Sequence, residues 1–406
     1  MSMTEAQQFF VDAMAPASRD DPYPLYASFR ERQPMALVDD ATWLVLGHAE
    51  VTACLRHPLL SSNEQRSINF AREVAADPGR ALPVSAPSLL FMDPPDHTRL
   101  RGLVARAFTP RRVEGLRARA EAVVADLLDG MAAGPGEVDL IASLAYPLPV
   151  KVICTLLGIP DEDEVRFAAW SKVLVRSIDP TILRSPEIEA QIVVAAGELT
   201  HYMEDLVERR ASAPGDDLLS ALLAVEAEGD RITHAELIEL AMLLLVAGHE
   251  TTVNLIGNGM LALLDHPDQR ALAQRRPELL ASAVDELLRF DSPVQMNMRV
   301  ATEDVEVGGH QLEVGVELVL VLGAANRDPG AFARPDDLDL TRDARRHVAF
   351  GGGIHHCLGA ALARMEGQVA IAGLLARFPD VAQAGDIVRR PTFTLRGLEH
   401  LPVRLG

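Results

Sequence analysis

The sequence predicts a mainly α-helical protein with small β-sheets, folded as one large domain over residues 1–406. Apolar residues recur at helical spacing through long segments, whereas strand-like alternation is confined to short pieces. Proline and glycine punctuate the connections, and neither a long flexible linker nor an internal repeat is evident. The predicted helices are 117–131, 200–211, 235–264, 278–290 and 358–378, and the strand-like segments are 41–46, 305–307, 312–321 and 392–405.

Composition and charge exclude several classes of protein. The chain has 38 Lys and Arg against 58 Asp and Glu, a formal net charge of −20, which argues against nucleic acid as a general partner. The cysteines, at 54, 154 and 357, are too far apart for a disulfide framework or a clustered zinc site. The N-terminus lacks a basic start followed by an apolar run, and the longest strongly apolar stretch, 240–248, is too short to span a bilayer. We therefore expect a cytoplasmic protein without a membrane anchor.

The longest predicted helix, 235–264, begins at a capping box formed by Thr233 and Glu236. At 1.5 Å per residue it would run roughly 45 Å, and its middle is apolar on nearly every side, which predicts a buried core helix. The sequence Gly-His-Glu-Thr-Thr at 248–252 interrupts the apolar run. A carboxylate and two hydroxyls in a core helix are costly unless they have partners or a purpose.

Two interpretations of this interruption stay open. One is a proton relay beside a reactive site. The other is a helix kink in which the threonine hydroxyls bond back to backbone carbonyls. His249 could be a metal ligand, although a single core histidine is more often only hydrogen-bonded.

The most informative segment is 350–359, Phe-Gly-Gly-Gly-Ile-His-His-Cys-Leu-Gly. Three successive glycines allow positive φ angles and a close approach of the backbone to a flat or bulky group. Cys357 directly precedes a predicted helix, whose N-terminus lowers the pKa of a thiol and offers N–H groups to a thiolate. Such a sulfur is a strong iron ligand, and Gly359 leaves room for a large planar group. A lone cysteine is more often a small buried residue, but the flanking pattern favours the ligand.

Glu286 and Arg289 form a second, weaker motif. They are three residues apart on one predicted helix and therefore share a face. A surface salt bridge is the ordinary explanation of such a pair.

A third motif follows Asp93, a candidate N-cap with Pro94 at the first helical position. This start puts His97 and Arg101 one turn apart on one face. Cationic groups so placed can grip carboxylates, although a solvated basic face explains the pair equally well. Seven arginines lie within 99–119 against one acid, which suggests a local anionic partner.

In this order and spacing, the four segments resemble the cytochrome P-450 family, the haem-thiolate monooxygenases, over essentially the whole chain. The family's cysteine loop, Phe-x-x-Gly-x-x-x-Cys-x-Gly, is its most specific part. This loop is matched by Phe350, Gly353, Cys357 and Gly359. The family's Glu-x-x-Arg pair is matched by Glu286 and Arg289, and its His-x-x-x-Arg pair by His97 and Arg101. The signature of its central helix is matched by Ala247, Gly248, Glu250 and Thr251. The acidic chain without a predicted anchor is similar to the soluble bacterial branch.

The resemblance implies heme b (iron protoporphyrin IX) between the long helix and the helix after Cys357, with Cys357 as the metal ligand. Glu250 and Thr251 would be the catalytic acid and alcohol that supply protons for dioxygen activation. Glu286 and Arg289 would be structural, with Arg327 or Arg345 as a third member. The remaining cofactor-binding residues would be His97, Arg101, Arg299 and His355 at the propionates, together with Phe350, Gly353, Gly359 and Ala247.

The same resemblance implies a bulky, largely apolar small-molecule substrate: a secondary-metabolite, terpenoid, steroid or fatty-acid-like compound. It would contact the loop 82–90, Leu89 included, and Leu243, Leu244, Ala247, Val294, Met296 and Phe393. Dioxygen is the second substrate. A haem-thiolate peroxygenase or dehydratase is an alternative that the Glu250 and Thr251 pair argues against. A non-catalytic haem-binding sensor is another, and the absence of an attached effector domain argues against it.

Electrons must come from outside, because no flavin or nicotinamide motif is present. We expect a ferredoxin and a ferredoxin reductase, and a monomeric enzyme. The ferredoxin would dock near the cysteine, on a face carrying Arg106, Arg111, Arg112, Arg345, Arg346 and Arg364.

Overall fold

Helices dominate the protein. The computed structural model describes residues 3–76, 88–179, 184–227 and 232–406. The helices of these ranges are α1 (Glu5–Met14), α2 (Pro16–Asp20), α3 (Tyr23–Arg32), α4 (His48–Arg56), α5 (Ile68–Ala76), α6 (Asp96–Ala107), α7 (Pro110–Gly115), α8 (Arg117–Ala132), α9 (Pro147–Leu157), α10 (Glu164–Leu174), α11 (Pro186–Ser212), α12 (Leu218–Ala227), α13 (His234–Asp265), α14 (Pro267–Arg275), α15 (Leu280–Phe290), α16 (Leu322–Asn326) and α17 (Ala360–Arg377).

The strands are short and form small sheets. They are β1 (Met35–Asp39), β2 (Thr42–Val45), β3 (Leu60–Ser61), β4 (Glu137–Asp139), β5 (Met296–Ala301), β6 (Val305–Val307), β7 (His310–Leu312), β8 (Glu317–Val321), β9 (Ala382–Gln383), β10 (Val388–Arg389), β11 (Leu398–His400) and β12 (Pro402–Arg404). The largest sheet has the order β1-β2-β8-β5-β3, in which β2 and β8 are parallel and the other neighbours antiparallel. The smaller sheets pair β4-β12-β9, β10-β11 and β6-β7.

Most predicted elements are present, but several have different bounds, and the segment predicted as strand-like over 392–405 contains two separate strands, β11 and β12. The helix predicted over 200–211 is only the second half of α11, which starts earlier because Ser185 caps it and Pro186 occupies its first turn. The segment predicted as one strand over 312–321 divides into β7 and β8. Gly315 turns the chain between them with a φ of +85°, a conformation that favours glycine.

The central helix α13 is 32 residues long and starts at the predicted capping box. The hydroxyl of Thr233 accepts a hydrogen bond from the backbone N–H of Glu236 at 3.2 Å, and the Glu236 carboxylate accepts one from the N–H of Thr233 at 2.7 Å. The helix contacts α9, α11, α15 and α17 within the main apolar core. Within the described ranges it alone is long and apolar enough to cross a membrane, and 61% of its most apolar window is buried inside the protein.

Candidate active site

One side of α13 remains accessible although the helix lies in the core. Leu243, Leu244, Ala247 and Thr251 are partly or fully accessible, whereas the neighbouring Leu245 is buried. The four positions recur at three- and four-residue intervals and so lie along one side of the helix. We call this side the accessible face of α13. It carries three apolar side chains and one hydroxyl.

Cys357 lies in the loop before α17, and its side chain is also accessible. Its backbone N–H donates to the carbonyl of Phe350 at 2.9 Å, which closes the loop. Gly353 has a φ of +63°, and a Cβ there would collide with the carbonyl oxygen of Leu55. A Cβ on Gly359 would instead meet nothing within 4 Å, so open space lies beside Cys357. This space fits a large planar group next to the thiol.

The electrostatics at Cys357 differ from the expectation. Although the side chain faces open space, the surrounding protein desolvates the thiol and raises its pKa above the usual value; the N–H of Gly359 and the cations of Arg101 and Arg364 oppose that shift. The helix begins at Ala360, further from Cys357 than predicted, so its N-terminus offsets the burial only in part.

Phe350, at the start of the loop, is held between the side chains of Arg364 and His347. The guanidinium of Arg364 lies 4.5 Å from the centroid of its ring, and the ring of His347 lies 5.5 Å away. Asp285 on α15 fixes both neighbours, because its carboxylate accepts from Arg364 at 2.7 Å and lies 3.1 Å from Nε2 of His347. The loop is therefore anchored to two helices.

The four predicted propionate residues converge from separate segments. The rings of His97 and His355 are 4.3 Å apart, and burial, together with His97 and the positive charges of Arg299 and Arg101, lowers the pKa of His355 to about 3. His97 is buried, and neither of its ring nitrogens has a hydrogen-bond partner among the described residues. Buried donors without partners are costly. Carboxylates of a bound group would satisfy them, so this cluster fits the propionates of haem.

The start of α6 differs from the prediction. The helix begins at Asp96, and its cap is Pro95, which has no side chain able to accept a hydrogen bond. Asp93 does not cap the helix, because its carboxylate accepts from Ser61 at 2.6 Å and lies 2.9 Å from Arg66.

Glu250 and Thr251 have different surroundings. The hydroxyl of Thr251 donates to the carbonyl of Ala247 at 3.1 Å and lies on the accessible face of α13. The buried carboxylate of Glu250 contacts the guanidinium of Arg390 and lies 3.3 Å from Nε2 of His249. Burial lowers the pKa of His249 to about 4, so its ring is neutral at physiological pH. No hydrogen bond among the described residues joins Glu250 to Thr251 directly.

Sequence reasoning missed a second buried acid. Glu366 on α17 is 1% exposed, and burial raises the pKa of its carboxyl to about 8, against a hydrogen bond from Thr252 that lowers it. The sequence did contain a signal for it, because Glu366 interrupts the apolar pattern of the helix predicted over 358–378. Arg390, by contrast, gives no local signal, because its relation to Glu250 depends on the tertiary fold.

Glu286 and Arg289 form a fully buried pair rather than a surface salt bridge, with hydrogen bonds of 2.6 and 2.8 Å. The third member is Arg342, whose Nε lies 3.1 Å from Glu286. The expectation of Arg327 or Arg345 was wrong. Arg327 instead donates to the carbonyl of Phe290, and the exposed Arg345 pairs with Asp343.

The structure brings together only some of the predicted substrate contacts. Leu89, which is buried, belongs with Leu243 and Leu244 to the main apolar cluster. Met296 and Phe393 pack instead in the cluster of the N-terminal helices and the largest sheet, because strand alternation turns Met296 away from the face of Arg299. Val294 packs on a third cluster. Within the loop predicted over 82–90, residues 82–87 lie outside the described residues.

A groove of about 770 Å³ runs along the outer side of the cysteine loop. Of the six arginines predicted to bind a ferredoxin, Arg345, Arg346 and Arg364 line it, and Arg56 joins them. Arg106, Arg111 and Arg112 are not among its lining residues, and Arg112 lies 3.9 Å from Asp216.

The comparisons with known proteins agree on one family. The family model for cytochrome P450 matches residues 79–393. The chain is 46% identical to vitamin D(3) 25-hydroxylase of Pseudonocardia autotrophica, over 95% of this chain and 94% of that protein. It is 42% identical to 6-deoxyerythronolide B hydroxylase of Saccharopolyspora erythraea, over 95% of this chain and 96% of that protein.

The solved structures confirm the predicted fold class. The ligand-free crystal structure of Mycobacterium smegmatis CYP164A2 matches with a TM-score of 0.91 and 40% sequence identity, covering 98% of this chain and 100% of that chain. The chain therefore belongs to the cytochrome P450 family and is a monooxygenase that binds heme b.

Proposed function

We propose that this cytochrome P450 inserts one oxygen atom from dioxygen, by hydroxylation or epoxidation, into a bulky, largely apolar small molecule. The accessible face of α13 carries this proposal, because it presents Leu243, Leu244 and Ala247 beside the single hydroxyl of Thr251. A secondary-metabolite, terpenoid, steroid or fatty-acid-like compound would pack well against this face. The names of two relatives, a vitamin D(3) hydroxylase and a 6-deoxyerythronolide B hydroxylase, support large apolar substrates.

Cys357 would hold the haem iron. A thiolate ligand gives the iron the electron density that favours O–O cleavage. The orphaned nitrogens of His97, the ring of His355 and the cations of Arg101 and Arg299 would bind the two propionates. Phe350, Gly353, Gly359 and Ala247 would border the ring, and Phe350 would be positioned by Arg364 and Asp285.

Proton supply would use two buried acids behind the accessible face of α13. The Thr251 hydroxyl reaches this face and can hold a proton there. Glu250, the preceding residue of the helix, contacts the guanidinium of Arg390 and could accept a proton from its buried side. Glu366 is protonated near neutral pH, because its pKa is about 8, and Thr252 links it to α13. Glu366 would therefore be a second source of protons.

An acidic ferredoxin, reduced by a ferredoxin reductase, would supply the electrons. The groove next to the cysteine loop is lined by Arg56, Arg345, Arg346 and Arg364, so negative charge on a partner would be attracted to it. We place the docking face in this groove. Arg106, Arg111 and Arg112 from the original expectation would then steer the partner rather than contact it. The enzyme would act as a cytoplasmic monomer whose residues 1–406 form one domain.

The test is reconstitution of the purified enzyme with a surrogate ferredoxin and reductase under isotopically labelled dioxygen. Candidate substrates are first selected by the shift that they cause in the haem absorption spectrum. The expected product carries one labelled oxygen atom per molecule. Product formation with peroxide but not with dioxygen would indicate a peroxygenase. Haem binding without turnover of any selected ligand would indicate a sensor.

A further inference from the structure

A carboxylate lies at the outer end of the accessible face of α13. Glu239 lies one turn before Leu243 and two turns before Ala247, so the three side chains share one side of the helix. The Glu239 side chain is half-buried. It makes a hydrogen bond with the hydroxyl of Ser88, which directly precedes Leu89. Glu239 therefore connects the central helix with the segment that borders the proposed substrate site.

The segment that contacts Glu239 through Ser88 is mostly apolar. Leu89 is buried beside the main core, while Leu90 and Phe91 are 43% and 42% exposed on the same segment. Burial raises the pKa of the Glu239 carboxyl, and the hydrogen bond from Ser88 opposes that shift. An ionised carboxylate has roughly four acceptor sites, and the hydroxyl of Ser88 fills one. The remaining acceptor capacity is available to a ligand.

The neighbouring acid on the same helix is different. Glu236 lies one turn earlier and accepts from the backbone N–H of Thr233 at 2.7 Å. It also forms an ion pair with Arg99. Glu236 thus has partners within the protein that cap α13 and tie it to α6. Within the described part of the chain, Glu239 caps no helix and forms no ion pair with a cationic side chain.

We propose that Glu239 is a specificity-determining residue that accepts a hydrogen bond from an alcohol or an ammonium group at the remote end of the substrate. The inference rests on the proposed function. Along α13, Ala247 and Thr251 lie roughly 12 and 18 Å from Glu239, at 1.5 Å per residue. The substrate class is then an elongated apolar molecule that carries a hydrogen-bond donor about this far from the carbon that is oxidised.

Three matched probes test this assignment: a steroid with a free 3-hydroxyl, its 3-methyl ether and its 3-amine. Their dissociation constants are measured by titration of the haem spectrum of the purified holoenzyme. The alcohol and the amine should bind about tenfold tighter than the ether, since the ether cannot donate to Glu239. Glu239→Leu should abolish both preferences and leave the affinity for the ether within about twofold. Glu239→Gln keeps the shape of the side chain but not its charge. It should therefore weaken the preference for the amine more than the preference for the alcohol.

Ser88→Ala is the matched control, because it removes the hydroxyl and leaves the carboxylate; both preferences should persist. Each variant must keep the thiolate spectrum of its reduced carbon monoxide complex, which shows that the haem site is intact. Equal binding of alcohol and ether to the wild type would overturn the inference. So would a Glu239→Leu variant that keeps the preference, or that loses affinity for all three probes equally. If no probe binds a protein with an intact haem spectrum, the substrate class proposed above fails as well.

Discussion

The guanidinium of Arg390 contacts the carboxylate of Glu250, and the two side chains are only 14% and 2% exposed. The partners come from distant parts of the chain, the middle of α13 and the segment that follows β10. The Nε of Arg390 also donates to the carbonyl of Leu398 on β11 at 3.1 Å, so the C-terminal hairpin holds the guanidinium in place. The other titratable neighbour of Glu250, His249, is neutral and cannot replace that charge.

Removing the cation should therefore destabilise the protein. Arg390→Leu leaves a buried carboxylate without its counter-charge, and we expect a loss of about 3 kcal/mol or more in the free energy of unfolding. Adding Glu250→Gln to that variant should recover part of the loss. Denaturant unfolding of the holoenzyme measures both. The control is Arg404→Leu on β12, whose partner Glu137 is exposed, with an expected cost of about 1 kcal/mol or less. Strictly additive losses in the double variant would show that the pair is not coupled.

The two adjacent threonines should differ in their effect on catalysis. Thr251 presents its hydroxyl on the accessible face of α13, whereas Thr252 is buried and bonds to Glu366. Thr251→Ala should divert reducing equivalents from product to released peroxide, and Thr251→Ser should restore the normal ratio because it keeps the hydroxyl. Thr252→Ala should change this ratio less. Peroxide and product are quantified per reducing equivalent consumed; an equal or larger diversion in Thr252→Ala would reverse the assignment.

The pH dependence of stability should reveal Glu366. Its folded-state pKa of about 8 lies above the ordinary value of 4.5, so the folded protein binds a proton that the unfolded chain releases. The contribution of this group is fully present below about pH 4.5 and is lost as the pH rises toward 8. Glu366→Gln should remove that loss, so the stability of the variant relative to wild type should increase between these limits. Unfolding curves of both proteins at several pH values test this; parallel pH profiles would mean that Glu366 is ionised throughout.

Charge reversal in the groove beside the cysteine loop should slow electron delivery. Arg56→Glu and Arg346→Glu each replace a lining cation with an anion, and the rate of reduction by an acidic ferredoxin should fall on the order of tenfold at low ionic strength. The salt dependence of the rate should weaken in parallel. Stopped-flow reduction at several salt concentrations measures both effects. Arg377→Glu at the far end of α17 is the control, and an equal slowing there would argue against a localised footprint.

The sequence predicted the helices and the motif residues well because these signals are local. The capping box at Thr233, the apolar periodicity of α13 and the loop around Cys357 each depend on residues close together in the chain. That the motif residues come together in space could be predicted only from the family resemblance. The cluster of His97, Arg101, Arg299 and His355 is an example, since its members come from separate segments.

What the sequence could not predict are contacts that only the tertiary fold creates. Arg342 rather than Arg327 or Arg345 joins Glu286, because the loop after α16 passes beside α15 in a way that spacing does not reveal. The pairing of Arg390 with Glu250 depends on where the C-terminal hairpin packs. Met296, expected to contact the substrate, packs instead with the N-terminal helices, because alternation along β5 turns it away from the face of Arg299.

The central claim is that the thiolate of Cys357 would hold the haem iron. The absorption spectrum of the reduced carbon monoxide complex tests it most directly, because thiolate and imidazole ligands give distinct spectra. The wild type should give the thiolate spectrum, and Cys357→His should convert it to the histidine type, whereas Cys54→Ala and Cys154→Ala should leave it unchanged. A histidine-type spectrum from correctly folded wild-type protein, or a thiolate spectrum that survives in Cys357→His, would contradict the claim.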